Sequence, residues 1–188
     1  LLKDLFGEMH FTHFGASGPL ILTASALINR LSPDGVKLVL DFKPALSREQ
    51  LETRILRDFE ADKNKDISNC LKSLLPSSAV EPMLERCGIL PDKKVNSITR
   101  AERASLLTNI KNFDMLYLSL RGFEEAVVTS GGVSLKEVNP KTMESKIVKG
   151  LYFCGEVLDC DAFTGGFNLQ IAFSTGYVAG RAAALADD

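Results

Sequence analysis

The sequence has few residues of the kinds that hold disulfides or metal ions. Its four cysteines are scattered, no two of them form a C-x-x-C pair, and only two histidines are present. Disulfide frameworks and zinc sites need such residues in defined groups, so neither is predicted. No signal peptide is visible, and we therefore expect reduced thiols in a cytoplasmic protein.

Two further patterns are missing. No run approaches the roughly 20 apolar residues that a membrane-spanning helix needs. No block of like charge accompanies the formal net charge of −2, which argues against a nucleic-acid partner. The composition, 45% apolar and 24% charged over 188 residues, is ordinary for a globular protein with a sizeable core. The chain begins with Leu1 instead of methionine, and we expect a fragment of a longer protein.

The middle of the chain has helical periodicity. Two capping boxes, Ser47-x-x-Gln50 and Thr99-x-x-Glu102, each precede a run in which apolar residues recur three or four positions apart. Two shorter apolar runs with the same spacing lie between them. We expect residues 44–112 to form a four-helix subdomain, which is either a structural insert or a surface that docks a partner.

The segments on either side of this block alternate with period two, which indicates strands. Val36 to Phe42 precedes the block, and Phe123 to Thr129 and Leu135 to Val138 follow it. A helix is expected to start within Gly15 to Pro19, with Ser17 near its N-cap and Pro19 in its first turn, and to continue over Leu20 to Ile28. The layout is that of a helical domain inserted into a β-rich domain, which is an α+β fold.

The stretch from Gly150 to Gly180 has the strongest functional pattern. A short strand at Leu151 to Phe153 leads into Gly155 and Glu156, and a segment with helical spacing runs from Asn168 to about Ala186. A strand, an acidic glycine turn and a helix that opens on two glycines suit a dinucleotide. The alternative interpretation is a glycine-rich turn between an edge strand and a packing helix.

The opening half of a dinucleotide site is missing from the sequence. Such a domain begins with a strand and the motif G-x-G-x-x-G. Here Gly15-x-x-Gly18 is followed by proline, and Gly131-Gly132 lies between predicted strands. The chain thus contains only the closing half of a cofactor site.

Two long motifs carry a family resemblance. They are FTHFGASGP and VTSGGVSLKEVNPKTMESKIVKGLYFCGEVLDCDAFTGGFNLQIAFSTGYVAG. These segments resemble the bacterial NAD(P)/FAD-dependent oxidoreductase family that includes aminoacetone oxidase and a bile-acid enone reductase. The resemblance covers about residues 6–42 and 123–184, and the helical middle is less diagnostic.

The resemblance implies a three-part protein with a Rossmann-type FAD domain, a β-rich substrate-side domain and a helical insert. Residues 1–43 and 113–140 would then form the β-rich domain, and residues 44–112 the insert. Residues 141–188 would be the C-terminal strand, loop and helix of the FAD domain. The N-terminal Rossmann half would lie upstream of Leu1.

The resemblance also implies the cofactor-binding residues. Gly155 and Glu156 match the family's glycine-acid pair, which is expected to hold the ribitol or pyrophosphate region of FAD. The loop and helix start expected beneath the isoalloxazine comprise Thr164, Gly165, Gly166, Phe167, Asn168 and Gln170. A glycine turn expected near the flavin, where only backbone can approach closely, comprises Thr129, Gly131 and Gly132.

No catalytic residue is identified, although Thr12 and His13 fall in a motif that resembles a loop facing the flavin. His13 is a candidate proton donor or substrate contact, and the alternative is a histidine that fixes the loop by hydrogen bonds. Asp159 and Asp161 form either an acidic dyad or a pair of loop caps. No metal site is predicted, because no third ligand accompanies His10 and His13.

We therefore expect a fragment of an FAD-dependent oxidoreductase that transfers hydride between a small organic substrate or NAD(P)H and flavin. FAD is expected in the full-length protein, whereas the fragment alone is expected to be inactive and to bind FAD weakly or not at all. The alternative is an isolated, non-catalytic interaction module whose helical insert docks a protein partner. The residues identify neither the substrate nor the oligomeric state.

Overall fold

The structure, a computed structural model, describes residues 3–186. Residues 1, 2, 187 and 188, at the outer ends of the first and last predicted segments, lie outside the described residues. The chain divides into two units, one formed by residues 34–117 and one by the segments before and after them. The domain boundaries predicted at residues 43, 112 and 140 stay predictions.

The described residues form a mixed fold with six α-helices and two small antiparallel sheets, neither of which closes into a barrel. This is consistent with the predicted α+β class. In chain order the elements are β1 (His10–Thr12), β2 (Gly15–Ser17), α1 (Pro19–Ile28), β3 (Lys37–Leu40), α2 (Arg48–Ala61), α3 (Ile67–Leu71), α4 (Ser77–Arg86), α5 (Arg100–Lys111), β4 (Phe113–Leu116) and α6 (Phe167–Leu185).

The predicted capping boxes in the helical unit are confirmed. Ser47 Oγ accepts the Gln50 N–H at 3.2 Å, and Gln50 Oε1 accepts the Ser47 N–H at 2.9 Å. Thr99 and Glu102 make the same reciprocal pair at the start of α5. Each box satisfies two of the backbone N–H groups that a helix leaves without intrahelical partners, so α2 and α5 begin where the sequence predicts.

The core of this unit comes from the apolar faces of its four helices. Most of its members are less than 5% exposed, and β3 pairs with β4 beside them. Burial of this many aliphatic side chains is the main source of the unit's stability. The core residues on the helices are Leu51, Ile55, Ile67, Cys70, Leu71, Val80, Met83, Leu84, Leu106, Leu107 and Ile110.

The helix near the N-terminus has Pro19 in its first turn, as predicted, but Ser17 does not cap it. Ser17 is the last residue of β2 and pairs with His10 across the hairpin. The N-cap of α1 is instead Gly18, with φ of +104° and no side-chain cap. Because Ser17 is held in the hairpin, its hydroxyl does not cap the helix that follows.

Three predicted strands are wrong. Phe123–Glu125 and Leu135–Glu137 are short 3-10 turns, and the segment predicted as Leu151 to Phe153 makes one isolated bridge, between Tyr152 and Glu144. A strand requires a neighbour with which to pair its backbone groups. These segments lack a continuous partner among residues 3–186, so alternation in the sequence does not become a sheet.

The predicted C-terminal helix is confirmed as α6, which begins one residue earlier than expected. It packs on a second, smaller core that includes Val138, Met143 and Leu158, together with Ala179 of the helix itself. The turn that carries Glu156 lies against the N-terminal half of α6, where it meets Ala172 and Thr175.

Candidate cofactor site

The turn that carries Glu156 is attached to α6. Gly155–Val157 forms one turn of 3-10 helix, and Gly155 has φ of +70°, a conformation that favours glycine. The Gly155 N–H donates a hydrogen bond to Thr175 Oγ1 at 2.9 Å. The adjacent Glu156 is thereby positioned relative to the helix.

Glu156 links this turn to the predicted glycine turn that begins at Thr129. Its Oε1 atom accepts hydrogen bonds from the Thr129 N–H and from the Thr129 hydroxyl, the second at 2.7 Å. The backbone bond first, and then the hydroxyl bond, lower the pKa of the Glu156 carboxyl, so the group is ionised at neutral pH. Oε2 has no hydrogen-bond partner among residues 3–186 and remains an acceptor for a ligand hydroxyl.

The two glycines after Thr129 have different surroundings. Gly132 has φ of +130°, and a Cβ there would lie 2.3 Å from the Val157 carbonyl oxygen. This close approach lets the Val133 N–H donate to Val157 O at 2.8 Å. Gly131, with φ of +106°, has open space where a Cβ would stand. The close approach of the chain's own backbone explains why residue 132 is glycine. The open space at Gly131 leaves room for a ligand.

The loop between Glu156 and α6 is fixed by side chains. Asp159 pairs with Arg30 at 2.7 Å, and Asp161 accepts a hydrogen bond from the Ser130 hydroxyl at 3.1 Å. The side-chain amide of Asn168 accepts the Ala162 N–H at 2.8 Å and donates to the Ala162 carbonyl at 2.9 Å. Through these bonds, Asp159 and Asp161 hold the loop in place.

The N-terminus of α6 is open. Its N-cap, Gly166, has a left-handed backbone conformation and no side-chain cap. Phe167 is 61% exposed, and the Gln170 side chain donates to Ser174 within the helix at 2.9 Å. The first-turn N–H groups have no intrahelical acceptor and carry the positive end of the helix dipole. Beside Gly165 and Thr164, this end suits an electron-rich ring edge or a phosphate.

Thr12 and His13 lie at the tip of the β1–β2 hairpin. The Thr12 hydroxyl bonds to the Gly15 carbonyl at 3.3 Å, and the His13 ring meets the Phe14 ring edge to face at 5.0 Å. The Arg121 guanidinium stacks on Phe14 at 4.1 Å from the ring centroid. These contacts fix the hairpin tip, and a role for His13 or Thr12 toward substrate stays a prediction.

Sequence reasoning did not identify Arg30, Ser130 or Thr175 as parts of this site. Arg30 lies 129 residues before Asp159, and Ser130 lies 31 residues before Asp161, so no local pattern marks either pair. Thr175 has a weak sequence signal, because it follows Asn168 by two helical turns and shares its face.

Two features are absent from the described residues. Within residues 3–186, no three His, Cys, Asp or Glu side chains are grouped closely enough to hold a metal ion. Across the same residues, no helix combines the length and apolar character needed to cross a bilayer.

Comparison with known proteins adds a family match and named relatives. Residues 2–128 match the family described as "HI0933-like protein barrel and H2TH domain". The chain is 34% identical over 176 residues to a ribosomal RNA dihydrouridine synthase of Haemophilus influenzae, covering 93% of this chain and 42% of that protein. A protein of the same name from Escherichia coli is 32% identical over 167 residues, covering 89% of this chain and 40% of that protein.

A relative with a different named activity is similar to the same extent. The 3-dehydro-bile acid delta(4,6)-reductase of Clostridium scindens is 32% identical over 186 residues, covering 98% of this chain and 46% of that protein. The chain thus spans less than half the length of each of these three relatives. The family match covers more than half of the chain, and the bile-acid reductase supports the resemblance stated from the motifs. The chain therefore belongs to the HI0933-like family, in the superfamily of FAD-dependent oxidoreductases.

Proposed function

We propose that this chain is the C-terminal part of an FAD-dependent oxidoreductase that reduces a carbon–carbon double bond conjugated to a carbonyl group. The observation that carries the proposal is the Glu156 link, because two segments that resemble cofactor-binding motifs meet at one carboxylate. Family membership supports the flavin, and the names of the relatives support the reaction.

The residues present fit FAD. Hydrogen bonds from Thr129 lower the pKa of Glu156, and one carboxylate oxygen is available for a ribose or ribitol hydroxyl. The first-turn N–H groups of α6, reached across Gly165 and Gly166, suit the electron-rich edge of the flavin or a phosphate. Asn168 keeps the connecting loop in place through Ala162. When bound, FAD supplies the hydride carrier.

The names of the relatives describe one kind of chemistry. Dihydrouridine is uridine whose C5–C6 double bond, conjugated to the C4 carbonyl, has been saturated. A 3-dehydro-Δ4,6 bile acid has double bonds conjugated to a ketone. Each name therefore describes addition of hydrogen across a double bond that an adjacent carbonyl makes electrophilic. We extend this reaction class to the protein that contains this chain, with NAD(P)H as the hydride donor.

Two observations favour different substrates. The net charge of −2 and the lack of a basic block favour a small molecule, because RNA binding depends on clustered positive charge. The names of two relatives favour uridine in ribosomal RNA. We propose a small carbonyl-conjugated substrate, and ribosomal RNA is the second candidate.

A flavin reoxidation assay on the full-length protein separates these candidates. The protein is reduced with NAD(P)H without oxygen and is then mixed with a cyclic enone or with unmodified ribosomal RNA. Reoxidation by the enone, with a product heavier by two hydrogens, is the expected result. Reoxidation by RNA alone would select the second candidate, and reoxidation by neither would refute the reaction class.

A further inference from the structure

The tip of the β1–β2 hairpin carries an arginine contact that the candidate cofactor site does not use. The Arg121 guanidinium lies over the Phe14 ring, 4.1 Å from its centroid, and Arg121 Nη2 pairs with Glu125 Oε1 at 2.6 Å. The His13 ring meets the same Phe14 ring edge to face. These residues belong to the unit that contains Glu156. We call His13, Phe14, Arg121 and Glu125 the arginine site.

The contacts hold the Arg121 side chain in one orientation. A 3-10 turn over Phe123–Glu125, in which the Glu125 N–H donates to the Gly122 carbonyl at 3.0 Å, brings Glu125 back beside Arg121. The Phe14 ring covers one face of the planar guanidinium. A long side chain loses rotamer freedom when it binds a ligand, and a side chain that is already held loses less. The arginine site is therefore preorganised for binding.

Several donors of the arginine site remain open. Among residues 3–186, Arg121 Nε and Nη1 have no acceptor, and neither ring nitrogen of His13 has a hydrogen-bond partner. The Arg121 side chain is 48% exposed and Phe14 is 47% exposed, so both are accessible to a ligand. A planar guanidinium with free N–H groups matches the oxygens of a carboxylate or a phosphate. The exposed phenyl ring beside it suits an apolar group.

The acidic residues of this segment favour one of these two oxyanions. Glu125 pairs with Arg121, and Glu124 places a second negative charge next to it in the chain. A phosphate with two charges, or an RNA backbone, needs clustered positive charge, whereas a single carboxylate needs one arginine fork. The arginine site thus suits a small acid with an apolar body.

We propose that the arginine site binds a carboxylate of the small carbonyl-conjugated substrate, with Arg121 as the residue that determines this specificity. The inference rests on the proposed function and narrows its substrate to an acid. The segment that carries Arg121 continues directly to Thr129, whose hydroxyl donates to Glu156, so the arginine site and the cofactor turn lie on one stretch of chain. Binding at Arg121 fixes one end of the substrate and thereby limits the positions of its double bond.

Two matched substrates test the proposal in the full-length protein with bound FAD. One is a cyclohexenone that bears a carboxylate, and the other is the methyl ester of the same compound. The wild type should have a KM roughly tenfold lower for the acid than for the ester, because a hydrogen bond to a charged group contributes about that factor. Arg121→Gln should raise the KM for the acid to that for the ester and leave the KM for the ester unchanged.

Two further variants are the controls. Arg121→Lys keeps the charge but not the planar fork and should recover only part of the preference for the acid. Arg100→Gln removes an exposed arginine of the helical unit and should leave both KM values unchanged. The FAD content of each variant should equal that of the wild type, which shows that the variants fold.

Binding of a saturated acid gives a readout without turnover. Cyclohexanecarboxylate should bind the oxidised wild type in saturation-transfer NMR, and Arg121→Gln should weaken this binding roughly tenfold. Equal KM values for acid and ester in the wild type, or an equal rise for both in Arg121→Gln, would overturn the proposal. A raised KM for NADPH without a change for the acid would also overturn it, because the oxyanion would then be a phosphate of the hydride donor. If neither enone reoxidises the flavin, the reaction class is refuted, and cyclohexanecarboxylate binding still decides the arginine site.

Discussion

Replacing Gly132 by alanine gives a sharp test of how the two glycine turns are joined. The new Cβ would lie 2.3 Å from the Val157 carbonyl oxygen and 2.9 Å from its carbonyl carbon. Both atoms belong to backbone, so relief requires the segments to separate. Separation would break the Val133–Val157 hydrogen bond and the Asp159–Val133 hydrogen bond, which are 2.8 and 2.9 Å long.

The expected cost has two parts. A residue with a side chain at positive φ costs about 1–2 kcal/mol, and each lost backbone hydrogen bond costs about 1 kcal/mol. Gly132→Ala should therefore destabilise its unit by about 3–4 kcal/mol. Gly131→Ala is the matched control, because Gly131 has a positive φ but open space. It should cost only the first part, about 1–2 kcal/mol.

Urea unfolding followed by circular dichroism measures both variants, since the sequence has no tryptophan to report fluorescence. Hydrogen exchange locates the effect. Gly132→Ala should speed exchange at the Val133 and Asp159 amides, whereas Gly131→Ala should not. Equal destabilisation by the two variants would refute the reasoning, because it would mean that the Val157 carbonyl moves aside at no cost.

Three further predictions concern single side chains. Bonds from Lys93 and Thr99 lower the pKa of Glu102 from 4.5 to about 2. The stability that ionised Glu102 gives the folded state is therefore present above pH 4.5 and is lost as the pH falls toward 2. The stability of Glu102→Gln should depend less on pH over that range, as measured by acid unfolding. Thr129→Val removes the hydroxyl bond and should raise the pKa of Glu156 in an NMR titration, whereas Thr129→Ser should not. Leu106→Ala, at a fully buried site, should cost about 2–5 kcal/mol in urea unfolding.

Each of these predictions has a result that contradicts it. If Glu102→Gln and the wild type unfold in acid with the same pH dependence, the ion pair of Glu102 does not contribute to acid stability. An unchanged Glu156 pKa in Thr129→Val would mean that the hydroxyl bond does not form in solution. A loss below about 1 kcal/mol for Leu106→Ala would mean that the site collapses around the smaller side chain.

The parts of the fold that depend on nearby residues were predicted from the sequence. The capping boxes at Ser47 and Thr99 act across three residues, and both are present. Helix α6 was predicted because helical spacing of apolar residues continues over a long segment without proline. The strand predicted over Phe123 to Thr129 is wrong, since a strand depends on a partner that its own sequence does not specify.

In the site, too, the individual residues were predicted from the sequence, but the contacts between distant residues were not. Glu156 and Thr129 were each expected to hold the cofactor from resemblance, but no pattern indicated that they bond to each other across 27 residues. The link depends on tertiary packing of the Gly155–Val157 turn against α6. Gly132 was expected to be a glycine because a flavin approaches it. The structure shows that the backbone of Val157 already leaves no space for a Cβ at Gly132.

The most direct test of the central claim compares FAD binding by two polypeptides. The full-length protein and this 188-residue chain are purified, and bound flavin is measured by visible absorption and fluorescence titration. We predict a yellow full-length protein with stoichiometric FAD, and weak or no binding by the 188-residue chain, because we propose that Glu156 and the start of α6 supply only one side of the site. A colourless full-length protein, or tight stoichiometric binding by the 188-residue chain, would contradict it.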